Sequence, residues 1–228
     1  MTANIACAKC GKFACYSQNP SERPKNCPMD VEANSIAEAV AEYDKPNIRE
    51  FARLASVQEF EGYMFLPEGR TPRHPRVEEI VQFARKMGYE RLGIAFCFGL
   101  RKEALTFTQI LEKRGFEVVS VCCKAGAIPK EIIGVDKTQK IGRPEMREAM
   151  CNPIAQAHVL NAQETDFNIA VGLCVGHDSL FFKYSESPTT VLIAKDRVFG
   201  HNPAAGLYLV NSYYNKLQRE ENNLEGGV

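Results

Sequence analysis

Apolar residues return every three or four positions over two early stretches, Ile36, Ala39, Val40 and Tyr43, then Ile48, Phe51, Ala52 and Ala55, with Pro46 between them. That period puts each set on one face of a helix. Val77, Ile80, Val81 and Ala84 form a third such face, with Gly88 placed to cap its end. From there short continuous apolar runs alternate with amphipathic stretches. Residues 92–97, 116–122, 167–173 and 189–194 read as buried strands. Residues 101–114, closed by Gly115, read as a helix. A further helix starts at Asn152-Pro153, with Asn as N-cap and Pro at the first helical position, and runs to about residue 161. Asn202-Pro203 repeats the device and predicts a last helix to about residue 217. Short apolar strands alternating with helices imply an α/β fold, a mostly parallel, Rossmann-like open sheet flanked by helices and joined by right-handed crossovers.

The remaining segments are polar or irregular. The first 30 residues are loop-like, with Gly11, Pro20, Pro24 and Pro28. A Pro-rich linker is expected at 67–75, irregular chain at 136–148 and a frayed tail from Arg219. Three regions follow: a small cysteine-rich segment at 1–30, a helical segment and linker at 31–75, and an α/β domain at 76–228. The length suffices for one such domain with a full core. The 28 basic and 28 acidic residues cancel, which argues against nucleic acid or anionic lipid as a partner. The start lacks the charged and apolar regions of a signal peptide, and no run approaches the roughly 18 apolar residues of a membrane span. A cytoplasmic protein is therefore expected, and there cysteines read as metal ligands or reactive thiols before disulfides.

The nine cysteines fall into two groups. Cys7, Cys10, Cys15 and Cys27 crowd the N-terminus. The two-residue gap from Cys7 to Cys10, followed by Gly11, is that of a metal knuckle, and four thiolates suit tetrahedral zinc or an iron–sulfur cluster. A structural role is expected, because so short a segment has little core of its own. The others sit where strands end: Cys97 after the first, Cys122 and Cys123 after the second, Cys174 after the third, with Cys151 just before a helix start, where the dipole favours a thiolate. Open parallel sheets bind ligands beyond these strand ends. Cys97, Cys123, Cys151 and Cys174 are thus expected to line one cleft and to hold a second metal or an iron–sulfur cluster. Alternation allows only one of Cys122 and Cys123 to face it, and Cys123 is nearer the loop. The plain alternative is that these are small buried apolar side chains. His177 follows Cys174 closely enough to make a Cys/His nucleophile pair conceivable. Lys124, Lys195 and Arg101 lie at or just past strand ends, where they read either as solvated loop charges or as holders of an anion over the cleft; His201 precedes a helix start with a route to the cleft, whereas His158 lies mid-helix and His74 in the linker. No glycine-rich dinucleotide or phosphate loop is present.

The blocks 93–100 (GIAFCFGL), 118–126 (VVSVCCKAG), 151–161 (CNPIAQAHVLN), 172–184 (GLCVGHDSLFFKY) and 194–204 (AKDRVFGHNPA), together with the Cys7/Cys10/Cys15/Cys27 array, resemble the DUF1847 family of bacteria and archaea. That resemblance implies a metal-binding protein and names no reaction.

Three functions fit these observations. The first is a metalloprotein whose rim cysteines present a metal or cluster to a small molecule, with sulfur transfer as one chemistry. The second is a thiol enzyme using Cys174 and His177. The third is a binding or regulatory module built on the N-terminal knuckle.

Overall fold

The computed structural model describes residues 4–219, so the expected frayed tail beyond Arg219 and the first three residues of the presumed N-terminal start lie outside it. The chain divides into two compact units, Met1–Thr71 and Pro72–Val228.

The first unit begins with a 3-10 turn, Cys7–Lys9, followed by the short helices α1 (Ala14–Ser17) and α2 (Pro28–Val31). Helices α3 (Ala33–Glu42) and α4 (Pro46–Glu61) carry the first two apolar stripes, with Pro46 opening α4 as the sequence suggests. Ile36, Val40 and Tyr43 on α3 remain exposed. One expectation fails here. The stretch 67–75 read as a linker holds a strand, β2 (Gly69–Pro72), which pairs with β1 (Tyr63–Leu66) just before it in a two-stranded sheet. Pro67-Glu68 is the turn, and the aromatic residues supply the adhesion: the Phe60 and Phe65 rings meet at 5.3 Å, and Arg70 lies 5.6 Å from the Tyr63 ring centre.

The second unit alternates helix and strand: α5 (Arg76–Lys86), β3 (Arg91–Phe96), α6 (Arg101–Lys113), β4 (Glu117–Cys122), α7 (Pro153–Ala162), β5 (Phe167–Val171), α8 (His177–Tyr184), β6 (Thr189–Ile193) and α9 (Ala204–Tyr208). The four strands β3 to β6 are all parallel, in the order β4-β3-β5-β6. This is the predicted open α/β sheet. Residues of one parity, Phe96 and Ser120, lie beside α6. The other parity, Ala95, Val121 and Ala170, packs with Ala157 and Leu160 of α7 and Phe181 of α8. Asn152 caps α7 as expected, its Oδ1 accepting from Ala155 N at 3.0 Å.

The last predicted helix is much shorter than expected. α9 ends at Tyr208, and the chain then turns repeatedly before a 3-10 segment, Asn215–Gln218. Gly206 sits against the Phe199 ring, and Tyr214 folds back onto that ring at 4.6 Å. With Val210, Asn211 and Ser212 adding little helix propensity, the aromatic contact decides the path.

The connection β3–α6–β4 runs toward one edge of the sheet and β5–α8–β6 toward the other. The ends of β3 and β5 therefore form the topological switch point, where the two loops diverge and leave a crevice.

Candidate thiol site at the sheet rim

Every functional side chain here is carried just past a strand end or just before a helix. Cys97 follows β3 and is anchored by its own N–H to Val171 O of β5 at 3.1 Å. Cys123 follows β4, is buried, and has its N–H on Phe96 O at 2.8 Å. Cys151 precedes the α7 cap, and the adjoining Asn152 N–H donates to Cys123 O at 2.7 Å. These backbone bonds draw the three sulfurs together. Cys123 belongs to a buried core cluster against which both Cys97 and Cys151 pack. Phe98 N–H also donates to Cys123 Sγ at 3.3 Å. Cys122 points away from this contact by strand alternation and is half-buried.

Two cations attend the trio. Lys195 Nζ stands 3.2 Å from Cys97 Sγ, and Lys124 Nζ stands 3.5 Å from Cys151 Sγ while also donating to Ala149 O at 2.6 Å. The hydrogen bond from Cys123, the Gly99 N–H and Lys195 together hold the Cys97 thiol down at about 4. Cys151 is held at about 5 by the bond from Cys123, then by Lys124 and His177. Cys123, between two thiolates and away from water, is pushed strongly up and keeps its proton. The trio is thus two anions sharing one thiol proton, in a setting of fixed positive charge.

Cys174 stands at the end of β5, on the other lip of the crevice. Arg197 Nη2 donates to its sulfur at 3.0 Å. His177 opens α8 and helps hold down the Cys151 thiol, and Arg197 is the side chain hydrogen-bonded to Cys174. His201 Nδ1 accepts from Asp196 N at 3.1 Å and braces the loop carrying Lys195 and Arg197. Arg101 lies over the Phe98 ring at 5.0 Å, and His158 is exposed on α7 with its ring 5.9 Å from Tyr184.

Two contributors were not evident beforehand. Arg197 has a signal, its position two residues beyond Lys195. Gln156 has a weaker one, a polar residue on the buried face of α7. Its Nε2 donates to Phe96 O at 3.1 Å and Val121 O at 2.7 Å, fastening β3 and β4 directly below Cys97 and Cys123. Gln156→Leu keeps the volume and removes both side-chain bonds, while Phe96 O keeps its backbone bond from Cys123 N–H at 2.8 Å. A loss of about 1 kcal/mol in urea unfolding is expected, the net worth of roughly one hydrogen bond. A change within experimental error would show that the clamp carries no weight.

In the N-terminal unit Cys7, Cys10, Cys15 and Cys27 all line one cavity of about 60 Å³. Cys10 N–H donates to Cys7 O at 3.0 Å, and Phe13 N–H to Cys10 Sγ at 3.4 Å. The Phe13 and Lys12 amides hold the Cys10 thiol below its ordinary range. Among the described residues, no three Cys, His, Asp or Glu side chains are already disposed to hold an ion. At both sites the sulfurs share a cavity or a contact without a formed coordination sphere.

A family described as "Protein of unknown function (DUF1847)" matches residues 27–192. The chain belongs to the DUF1847 family. The DUF1847 span contains all the rim cysteines and Cys27, and it begins after Cys7, Cys10 and Cys15. An uncharacterized protein of Methanocaldococcus jannaschii, MJ0455, is 43% identical over 212 residues, which cover 93% of this chain and 97% of that protein. Among the described residues no helix is long and apolar enough to cross a membrane.

Proposed function

We propose that the protein is a metal-binding protein in which Cys97, Cys123 and Cys151 hold a soft metal or an iron–sulfur cluster at the switch-point crevice, open to a small molecule. The observation that carries this reading is the meeting of three sulfurs from segments far apart in sequence, at the place where open α/β sheets bind ligands. The donor set suits the group. Thiolates favour zinc and iron–sulfur centres, and N–H groups from Phe98 and Gly99 on the sulfurs are the outer support such centres use. A cation would replace the proton that Cys123 now shares with its neighbours. Cys174, tied to Arg197 on the facing lip, is the fourth thiol available there. When bound, such a group would supply an electrophilic or sulfur-handling centre, with sulfur transfer as the chemistry most in keeping with three thiolates and an open side.

The N-terminal set is read as a separate structural zinc site. Four cysteines line one cavity here, the donor set of structural zinc, and this unit buries few side chains of its own.

Anaerobic metal and acid-labile sulfide analysis separates the two. Wild type is compared with Cys7→Ser/Cys10→Ser and Cys97→Ser/Cys151→Ser. Each pair of substitutions should remove the metal of its own site and leave the other. Metal-free wild type, or metal content that neither pair alters, would overturn the reading.

A further inference from the structure

We propose that the crevice between the ends of β3 and β5 takes a small anion, a carboxylate or inorganic oxyanion, between Lys195 and Arg197. This rests on the rim site proposed above and names the substrate class of that site.

Lys195 and Arg197 leave the sheet from a single loop after the edge strand β6, yet they reach both lips of the crevice. Lys195 passes over β5 to Cys97 at the end of β3, and Arg197 reaches Cys174 at the end of β5. A bulge helps. Ala170 pairs with Val191 but Val171 with Ile193, so β6 carries one extra residue immediately before the loop. The loop is braced from within. Asp196 Oδ1 accepts from Val198 N and Phe199 N, both at 2.8 Å, and His201 N–H returns to Asp196 O at 2.8 Å. His201 adopts a left-handed backbone, with φ of 68°. The two cations are therefore mounted on a fixed platform.

Their charge is not cancelled by carboxylates. Asp196 is turned to the backbone of its own loop, and Asp178 Oδ1 accepts from Ser179 N at 2.8 Å. Among the described residues, no ion pair joins a carboxylate to Lys124, Lys195 or Arg197. Lys195 is instead met by the Cys97 sulfur and Arg197 by the Cys174 sulfur. Each sulfur uses one donor of its cation. Lysine has three and arginine five in a planar fork, so each cation keeps donors for a second partner. A fork and an ammonium on opposite lips match the paired oxygens of a carboxylate or oxyanion.

The simpler role for both cations is to steady the thiolates, and the test separates the two roles. Thermal unfolding of the protein as purified is followed in sodium acetate or inorganic phosphate, against sodium chloride of equal ionic strength. Wild type should gain stability with acetate or phosphate, and Lys195→Met/Arg197→Gln should not. In parallel, Cys174 is modified with iodoacetate and with iodoacetamide. The iodoacetate:iodoacetamide rate ratio should exceed that of the same cysteine in the urea-unfolded chain by about tenfold, and should fall to the unfolded value in the double variant. If the cations serve the sulfurs alone, both reagents slow together and the ratio stays put. Equal response of wild type and variant to the anions overturns the proposal. Metal content measured on the same samples reports on the metal reading independently, because a metal-free wild type can still show or lack the anion response.

Discussion

Gly93→Ala should cost about 3–5 kcal/mol of stability, enough to unfold a large part of the population of a marginally stable domain. Gly93 sits in the central strand β3, directly paired with Asn168 of β5. A Cβ there would lie 2.0 Å from Asn168 Oδ1 and 3.0 Å from Leu160 Cδ1. Asn168 has no room to yield. It is fully buried, its Oδ1 accepts from Thr165 Oγ1 at 2.8 Å, and its Nδ2 donates to Ser185 Oγ at 2.8 Å. A methyl group therefore overpacks the core, at roughly 1–3 kcal/mol, and displaces an amide whose lost bonds cost a similar amount. Urea unfolding measures the loss. The cause is tested by adding Asn168→Ala, which removes the obstructing amide. The double variant should be clearly more stable than the sum of the two single effects predicts. A Gly93→Ala variant within 1 kcal/mol of wild type (roughly the smallest overpacking cost) would show that the sheet relaxes around the added carbon.

In the reduced, metal-free protein, Cys97 and Cys151 should be alkylated at nearly constant rate from about pH 6 to pH 8, while Cys123 stays unmodified. An ordinary thiol gains reactivity about tenfold per pH unit over this range, because its thiolate fraction does. Cys97 at about 4 and Cys151 at about 5 are already thiolates across it. A thiolate of low pKa is also a weaker nucleophile, by about half a logarithmic unit per pKa unit. Their advantage is therefore several-fold at pH 6 and reverses by pH 8, so the flat profile, rather than high speed, is the signature. Mass spectrometry of alkylated peptides reads it. Lys195→Met should move the onset for Cys97 upward, since an attracting cation is lost; a profile rising tenfold per unit in wild type would refute the assignment. Stability follows the same protons. Between about pH 5 and pH 9 the unfolded chain keeps all three thiol protons, whereas the folded trio keeps only the one on Cys123. Folding therefore releases protons, and stability should rise with pH between about 5 and 9 and be lost on acidification through the folded values.

Much of the scaffold was legible along the chain because it depends on local periodicity. The apolar run at Leu92 and Ile94 and the stripe of Ile80, Val81 and Ala84 each carry their own signal, and both are buried where that signal puts them. Asn152-Pro153 was equally legible, since a cap is a contact between near neighbours. Asn202-Pro203 shows the limit of the same device: a short helix follows it, but Pro203 takes the cap position with no side-chain bond from Asn202, and Tyr214 folds back onto Phe199 beyond its end. The β1–β2 pair was obscured because its second strand, Gly-Arg-Thr-Pro, has no apolar pattern and is held by its partner.

The order of elements, the parallel character of the sheet and the presence of sulfur at the ends of β3, β4 and β5 belong to the sequence alone, because hydrophobic period and chain direction are written residue by residue. Which sulfurs touch, which of them keeps a proton, and that Lys195 and Arg197 cross to opposite lips of the crevice were decided by tertiary structure. Those facts depend on strand order, on a one-residue bulge in β6 and on backbone bonds between segments tens of residues apart, and the energy of a contact between distant segments leaves no mark on either segment by itself.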